Sequence, residues 1–280
     1  MTQGPQGTGG RGFESGASGG PAGREPGSAA AGASATIPLS GDVRWVNECF
    51  PVDGRHLHVS IYLIRAEGGY VVVDSGSFYH RESLSARLRA ATAPEGVRAL
   101  ILSHTDYPHS GNVGAFRREW GDIEIVASSG APEIQGLPYA TKSTLGGTLR
   151  VAGREFEFLD PPLADRSHTS WIFDRASGIL FTADGFGSYH EPDDCRLTSA
   201  ELPGGIPARA IREYHEEALP WLRYVDPPKL EAKLARMFAE REVRFVAPVH
   251  GHPIAAADLP AYLEALAEAA AWISRAYTVP

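Results

Sequence analysis

The sequence predicts a layered α/β domain in which β-sheets pack together between helices. Runs rich in β-branched and aromatic residues alternate with stretches whose apolar residues recur at helical spacing. Residues 1–36 consist mainly of Gly, Ala, Ser and Pro and predict a disordered tail, because few large apolar side chains offset the entropy of ordering. After this tail the composition does not break again, so we predict a single domain at 37–280.

Runs of strand and helix character follow one another through the first half of the domain. The predicted strands lie at 43–50, 56–65, 69–76, 98–103 and 123–128, and the predicted helices at 80–92 and 113–120. The stretch LSHTDYPHSGN, at 102–112, therefore lies in a loop between a strand and a helix.

The second half begins with two predicted hairpins, at 148–162 and 168–187, with turns at Ala152-Gly153 and 175–178. Helical periodicity then runs from 207 to 239 and is interrupted at Asp226-Pro227-Pro228. A buried strand at 243–253 leads to a histidine, and an Ala/Leu-rich helix follows it.

Composition narrows the class of protein. Of the 280 residues, 43% are hydrophobic, which is enough for a substantial core, and the formal net charge is −8. Acidic and basic residues are interspersed, so we expect neither a nucleic-acid partner nor a membrane partner. No apolar segment approaches the length that spans a bilayer, and the N-terminus lacks the features of a signal peptide.

The two cysteines, Cys49 and Cys195, are too few for a disulfide framework or a thiolate metal cluster. We expect each to be a small buried apolar residue. This usage fits a reducing compartment, and we expect a cytoplasmic protein.

Three predicted strands end in side chains that bind metals. The strand at 98–103 leads to His104, Asp106 and His109, the run GILFTA at 178–183 leads to Asp184, and the run VRFVAPV at 243–249 leads to His250. Imidazoles and carboxylates together suit Zn²⁺, iron or Mn²⁺, and loops at strand ends hold such ligands in place. Singly, each residue has a simpler explanation: Asp106 could cap a helix and Asp184 could shape a turn. Their coincidence favours a metal site.

The motifs VVVDSG, SHTDYPHSGN, LFTADGFG and APVHG, in this order, resemble those of the metallo-β-lactamase fold over roughly 43–255. The resemblance implies an αββα four-layer sandwich. Within the superfamily the loop is most similar to that of flavodiiron and oxygen-binding di-iron proteins, which reads His-x-Glu-x-Asp-His-Ser-Gly where most hydrolases have His-x-His-x-Asp-His. Asp106 stands at the carboxylate position that marks the di-iron branch.

The resemblance implies a role for each residue. His104 and Asp106 would bind one metal, His109 and His250 the other, and Asp184 would bridge them. Asp74 would order the loop or orient a ligand without binding metal.

Two family ligands are substituted. Pro108 stands where the family has an aspartate ligand, and Leu163 stands where it has a histidine. Asp165 and His168 lie in the same loop as Leu163 and are candidate replacements, with a structural role favoured for each. His190 is likewise expected to be structural, and three loop aromatics could line a pocket, although such residues more often pack: Tyr107, Phe186 and Tyr189.

Three functions are compatible with these residues. The favoured one is a non-heme iron oxidoreductase or oxygen-binding protein with one or two iron ions, zinc or manganese being the alternatives. The second is a metal-dependent hydrolase of an ester, thioester or lactone, against which the loss of the loop aspartate argues. The third is a non-catalytic metal-binding descendant.

The favoured function requires partners. No segment matches the flavodoxin-like domain of flavodiiron proteins, so we expect no flavin domain in this chain. Electrons would come from a separate reductase or from an oxidisable small-molecule substrate, with O₂ as the other reactant. The resemblance also implies a homodimer.

Overall fold

Two mixed β-sheets form the centre of this computed structural model, in which residues 36–127 and 137–277 are described. Within these residues the strands of the first sheet are β1 (Ile37–Pro38), β2 (Val43–Val52), β3 (Arg55–Ala66), β4 (Gly69–Val73), β5 (Val97–Ile101), β6 (Glu124–Ala127) and β7 (Thr141–Lys142). Those of the second sheet are β8 (Thr148–Val151), β9 (Arg154–Leu159), β10 (Trp171–Asp174), β11 (Ile179–Phe181), β12 (Phe245–Ala247) and β13 (Ile254–Ala255).

Helices cover the outer face of each sheet. The α-helices of the described residues are α1 (Arg81–Thr92), α2 (Tyr107–Ser110), α3 (Val113–Trp120), α4 (Ala208–Ala218), α5 (Pro227–Ala239) and α6 (Leu259–Ala276). Short 3₁₀ helices lie at Phe78–His80, Pro192–Asp194, Ser199–Glu201 and Pro220–Tyr224.

The strand order is simple in both sheets. The first runs β1 to β7 in chain order, antiparallel from β1 to β4 and parallel from β4 to β7. The second runs β13-β12-β11-β10-β9-β8, with β11 and β12 parallel and the other neighbours antiparallel. In the first sheet the parallel neighbours β4 and β5, and in the second the parallel neighbours β11 and β12, bring their carboxyl ends side by side, where they can carry ligands.

Three apolar clusters define four layers. One lies between the sheets and includes Trp45, Tyr62, Phe158 and Phe181. A second packs the first sheet against α1 and α3, and a third packs the second sheet against α4, α5 and α6. Burial of these faces drives the layering, because each sheet is apolar on both sides and needs cover on both. The predicted αββα sandwich is confirmed.

Most predicted elements are confirmed, and the differences have local causes. The break in the helical region falls at 219–226, because Pro227 occupies the first position of α5, where its missing N–H would have no intrahelical partner. The loop at 102–112 contains the short helix α2, with Pro108 in its first turn.

The predicted disordered tail lies outside the described residues except for Thr36, which is buried and accepts a hydrogen bond from Arg44. The boundaries of the predicted domain stay a prediction. Among the described residues, none of the helices is both long enough and apolar enough to cross a membrane.

Candidate metal centre

The candidate ligands lie just beyond the carboxyl ends of the two parallel strand pairs. Asp74 follows β4, and His104 comes shortly after β5. Asp184 follows β11, and His250 follows β12. Backbone hydrogen bonds join the two sheets at this edge, since Val249 donates to the carbonyl of Ala183 at 2.8 Å and its own carbonyl accepts from Ser60 at 2.9 Å.

Asp184 lies at the centre of the candidate site. Its Oδ2 is 3.4 Å from Nε2 of His104 and 3.4 Å from Nε2 of His109. Its Oδ1 is 3.3 Å from Nε2 of His250. One carboxylate thus faces three imidazole nitrogens that come from two separate loops.

These contacts fit metal ligands better than hydrogen bonds. Nε2 of His104, Nε2 of His109 and Oδ2 of Asp184 are buried and have no hydrogen-bond partner among the described residues. Buried polar atoms are rarely left in this way. Ligands each about 2.1 Å from one ion, at angles near 90–110°, lie about 3.0–3.4 Å apart, which matches the separations around Asp184. The donor set therefore fits a metal ion.

The opposite nitrogen of two histidines is held by a hydrogen bond. Nδ1 of His109 donates to Oδ2 of Asp74 at 3.0 Å, and Nδ1 of His250 donates to the carbonyl of His58 at 2.7 Å. Asp74 is fixed in turn, because its two oxygens accept from the backbone N–H and the hydroxyl of Ser103 at 2.8 Å each. These bonds set the tautomer that leaves Nε2 free for a metal. Asp74 thus has the orienting position that the sequence predicts.

The electrostatics of the cluster favour a cation. Burial alone would lower the pKa of His109, but the carboxylates of Asp184 and Asp74 outweigh it and raise the pKa to about 10. Burial likewise opposes ionisation of Asp184, yet His109 and the neighbouring imidazoles hold its pKa well below the usual value. Burial keeps the pKa of His104 low, so its imidazole is neutral. A field that holds a second proton on Nε2 of His109 would equally favour a metal ion in place of that proton.

Asp106 lies at the rim of the cluster and is engaged by a cation. Its Oδ2 accepts from Nε of Arg166 at 2.7 Å, and its Oδ1 is 3.9 Å from Nε2 of His168. Although Asp106 is the N-cap residue of α2, its side chain does not cap the helix. Asp106 nevertheless lies close enough to Asp165 and His104 for the three side chains to bind one ion.

Asp165 lies closer to the centre than its sequence position alone indicates. Its Oδ2 is 3.6 Å from Nε2 of His104, and only 13% of its side chain is exposed. Leu163, at the family's histidine position, is fully buried in the apolar cluster of the second sheet. The chain therefore turns an apolar residue into the core at 163 and brings a carboxylate to the site two residues later.

Two of the imidazoles face one oxygen of Asp184, and the third faces the other oxygen. His109 shares Oδ2 with His104, whereas His250 faces Oδ1. The hydrogen bond to Asp74 holds the His109 ring in this position. The pairing of His109 with His250 on one ion stays a prediction.

Tyr214 of α4 supports Asp184 from outside the cluster. Its hydroxyl donates to the carbonyl of Asp184 at 2.9 Å. Gly187 makes this approach possible, because a Cβ there would lie 2.1 Å from the Tyr214 ring. Left-handed backbone at Ala183 (φ 50°) and Phe186 (φ 66°) flanks Asp184, which indicates a strained turn held by its surroundings. The sequence analysis did not identify Tyr214 or Arg166.

The aromatic residues suggested for a pocket have different positions. Phe186 is fully buried and stacks on Tyr262, so it is a core residue and not a pocket wall. Tyr189 does line a cleft of about 840 Å³, together with His190 and Arg55. Its ring centroid is 6.0 Å from that of Tyr214. The aromatic ring of Tyr214 therefore separates this cleft from the Asp184 site. Tyr107 is 40% exposed.

The expectation for the cysteines is wrong. Cys49 and Cys195 are partly exposed and contact the imidazoles of His190 and His56, so they are not isolated apolar residues. No local sequence pattern predicts this, because the two cysteines are far apart in the chain and meet only in the fold.

Comparison with known proteins identifies the family. A model of the metallo-beta-lactamase superfamily matches residues 54–232, which is more than half of the chain. The chain belongs to the metallo-beta-lactamase superfamily.

The similar proteins include a flavoprotein and a hydrolase. The type A flavoprotein of Rhodobacter capsulatus is 26% identical over 200 residues, which cover 68% of this chain and 43% of that protein. The hydroxyacylglutathione hydrolase of Xanthomonas euvesicatoria is 28% identical over 176 residues, which cover 59% of this chain and 64% of the hydrolase. This chain thus spans less than half the length of the flavoprotein.

Solved structures share the fold at low identity. A flavoprotein from Thermotoga maritima superimposes with a TM-score of 0.67 and 19% identity, over 81% of this chain and 58% of its own. The flavodiiron protein of Giardia intestinalis gives 0.64 and 17%, over 86% and 59% of the two chains. Structurally, the chain resembles the cores of flavodiiron proteins.

Proposed function

We propose that this protein is a non-heme iron oxidoreductase or oxygen-binding protein that receives electrons from a separate donor or from an oxidisable small-molecule substrate. The observation that carries the proposal is the single carboxylate of Asp184 facing Nε2 of His104, His109 and His250 at 3.3–3.4 Å. The set contains nitrogen and oxygen donors and no thiolate. Such sets suit iron that must leave a coordination position open.

Five residues would hold iron here, and one loop carboxylate would complete the set. The predicted ligands are His104, Asp106, His109, Asp184 and His250, with Asp165 as the additional donor. Iron bound there would supply one-electron chemistry and a position at which O₂ can bind.

The protein's own groups determine how the site is presented. Asp74 and the carbonyl of His58 orient two of the imidazoles, and Tyr214 fixes the loop of Asp184. The Arg166 guanidinium pairs with Asp106 at the rim and lies 3.7 Å from Asp165, so it offsets part of the negative charge of these two carboxylates.

The comparisons with known proteins support an oxidoreductase or oxygen-binding function. The similarity to flavoproteins and flavodiiron proteins supports the proposal, although the chain spans only part of their length. Because the matched part contains the metal-binding fold, we propose that electrons arrive from another protein or from the substrate.

Hydrolysis is the second candidate, and the similarity to hydroxyacylglutathione hydrolases favours it. In that function the metal would activate water to attack an ester or thioester. Two loop positions count against it: Asp106 stands where most hydrolases have a second histidine, and Pro108 replaces an aspartate that hydrolytic relatives use to bind metal and position water.

Purification under low oxygen, without added metal, tests the proposal. We expect iron to be the main metal, with a visible absorption that changes on exposure to O₂, and O₂ consumption when an artificial reductant is supplied. Zinc as the main metal, with hydrolysis of generic thioesters and no O₂ uptake by the iron-reconstituted protein, would contradict the proposal and support hydrolysis.

A further inference from the structure

A second cluster of metal-binding side chains lies apart from the Asp184 site and shares no residue with it. Cys49, His56, His190 and Cys195 each offer one ligand atom, and these four atoms lie within 4.8 Å of one another. These are the two cysteines of the chain and two of its ten histidines. The site around Asp184 does not use any of them.

The separations within this cluster match a tetrahedral ion site. Sγ of Cys195 is 3.0 Å from Nδ1 of His56 and 3.3 Å from Nε2 of His190. Sγ of Cys49 is 3.5 Å from the same Nε2. With Zn–S near 2.3 Å and Zn–N near 2.0–2.1 Å, tetrahedral angles put sulfur and nitrogen about 3.5 Å apart. Only small shifts would be needed to accommodate an ion.

The backbone brings the four residues together. Cys49 on β2 pairs with His58 on β3, so Cys49, His56 and His58 project from the same face of this hairpin. An isolated bridge joins His56 to His190 through two backbone hydrogen bonds of 2.8 and 3.0 Å. The cluster is therefore anchored on a sheet on one side.

Side chains of the same hairpin also fix Cys195. Its carbonyl accepts from Nδ2 of Asn47 at 2.5 Å and from Nε2 of His58 at 3.0 Å. The turn at Pro192–Asp194 directly precedes it. Both halves of the cluster are held before any ion binds, which lowers the cost of forming the site.

The charge of the cluster suits a divalent cation. The two cysteine sulfurs can bind as thiolates and the two imidazoles as neutral donors, and a bound cation would displace the thiol protons. Thiolates with imidazoles select zinc among the common divalent ions.

We propose that Cys49, His56, His190 and Cys195 bind a zinc ion in a closed, four-ligand Cys₂His₂ site. With all four positions supplied by the protein, the ion has a structural role and does not depend on the function proposed for the Asp184 site. The zinc ion would link the β2–β3 hairpin to the loop after β11.

His58 and His252 also border this cluster but do not complete a better site. The rings of His58 and His190 stack at 3.7 Å with 14° between their planes, so their in-plane lone pairs run parallel and cannot converge on one ion. His58 instead links the two sites, since its ring contacts His190 and its carbonyl accepts from His250. Zinc in the second cluster would therefore help to hold His250, a predicted ligand of the Asp184 site, in position.

Cobalt substitution of the full chain with reduced thiols tests the proposal. Co²⁺ replaces zinc, and its thiolate complexes absorb strongly in the near ultraviolet through sulfur-to-metal charge transfer. We expect this absorption to saturate at one equivalent of cobalt beyond any bound at the Asp184 site, and to disappear in Cys49→Ser and Cys195→Ser. His56→Asn should weaken cobalt binding, whereas His80→Asn, a partly exposed control, should not.

The Asp184→Asn variant separates the two sites. It should retain the charge-transfer absorption and one equivalent of zinc, even if metal at Asp184 is lost, and this result does not require the cysteine variants to fold. The proposal is overturned if the absorption is absent from both wild type and Asp184→Asn with reduced thiols. It is equally overturned if Cys195→Ser keeps the full absorption and zinc content, or if the cysteines prove to be a disulfide whose reduced form binds no cobalt.

Discussion

Asp106 and Arg166 form an ion pair at the rim of the candidate metal centre, with 2.7 Å between Oδ2 and Nε. Arg166 competes with a metal for this carboxylate. We therefore expect Arg166→Gln to tighten metal binding, but by no more than about fivefold, because a half-exposed ion pair contributes at most about 1 kcal/mol. Metal titration against a competing chelator measures the effect, and Arg209→Gln on the exposed surface of α4 is the control. Weaker binding in Arg166→Gln would show that the pair organises the site instead.

The loop after Leu163 offers two candidate replacement ligands, and their geometry differs. Oδ2 of Asp165 is 3.6 Å from Nε2 of His104, whereas Nε2 of His168 is 3.9 Å from Asp106 and the His168 ring centroid is 6.1 Å from that of His104. We expect Asp165→Ala to lower the metal content and His168→Ala to leave it unchanged. Elemental analysis of the two variants, prepared side by side, measures this difference. The opposite pattern would make His168 the ligand.

Restoring both family ligands should raise the metal stoichiometry. We expect the double variant Pro108→Asp with Leu163→His to approach two equivalents of metal. Without metal it should be less stable by about 1–3 kcal/mol, because an imidazole replaces a fully buried leucine in an apolar cluster. Unfolding measured with and without iron tests both effects. Unchanged stoichiometry would mean that the loops have been rearranged beyond the loss of two ligands.

His215 makes the stability depend on pH. Burial lowers its pKa from 6.5 to about 4, so the folded state keeps it neutral while the unfolded chain protonates it. The unfolded state then binds more protons between these pH values, so the contribution is fully present above pH 6.5 and is lost as the pH falls toward 4. The loss is at most about 3 kcal/mol.

The variant His215→Gln removes this titration. We expect its free energy of unfolding to change less steeply with pH than that of wild type over this window. Urea unfolding at several pH values, with a chelator present so that metal release does not contribute, measures the slopes. Parallel curves for the two proteins would rule out His215 as the source.

The sequence predicts most of the fold because strand and helix periods are local properties. The run at 113–120, for example, coincides with α3 (Val113–Trp120). The end of each strand is also set by the local sequence, and this predicts His104, Asp184 and His250 as candidate ligands. Their convergence on one carboxylate depends on how the two sheets stack, and the family resemblance supplied that expectation.

Other features depend on contacts between distant segments. The pairing of Arg166 with Asp106 and the turn that brings Asp165 inward are set by a loop with no periodic pattern. The cysteine and histidine cluster is not predictable from local sequence, because an isolated bridge between His56 and His190 assembles it. Two cysteines alone are too few for a metal site, and only the fold brings the two histidines next to them.

The central claim is that Asp184 and three imidazoles hold a metal ion. The most direct test compares wild type with Asp184→Asn, which keeps the size of the side chain but removes its charge, using Asp122→Asn on the surface as the control. We expect iron content to fall to background in Asp184→Asn, with folding retained and the control unchanged. Iron retained at the wild-type level by folded Asp184→Asn would contradict the claim.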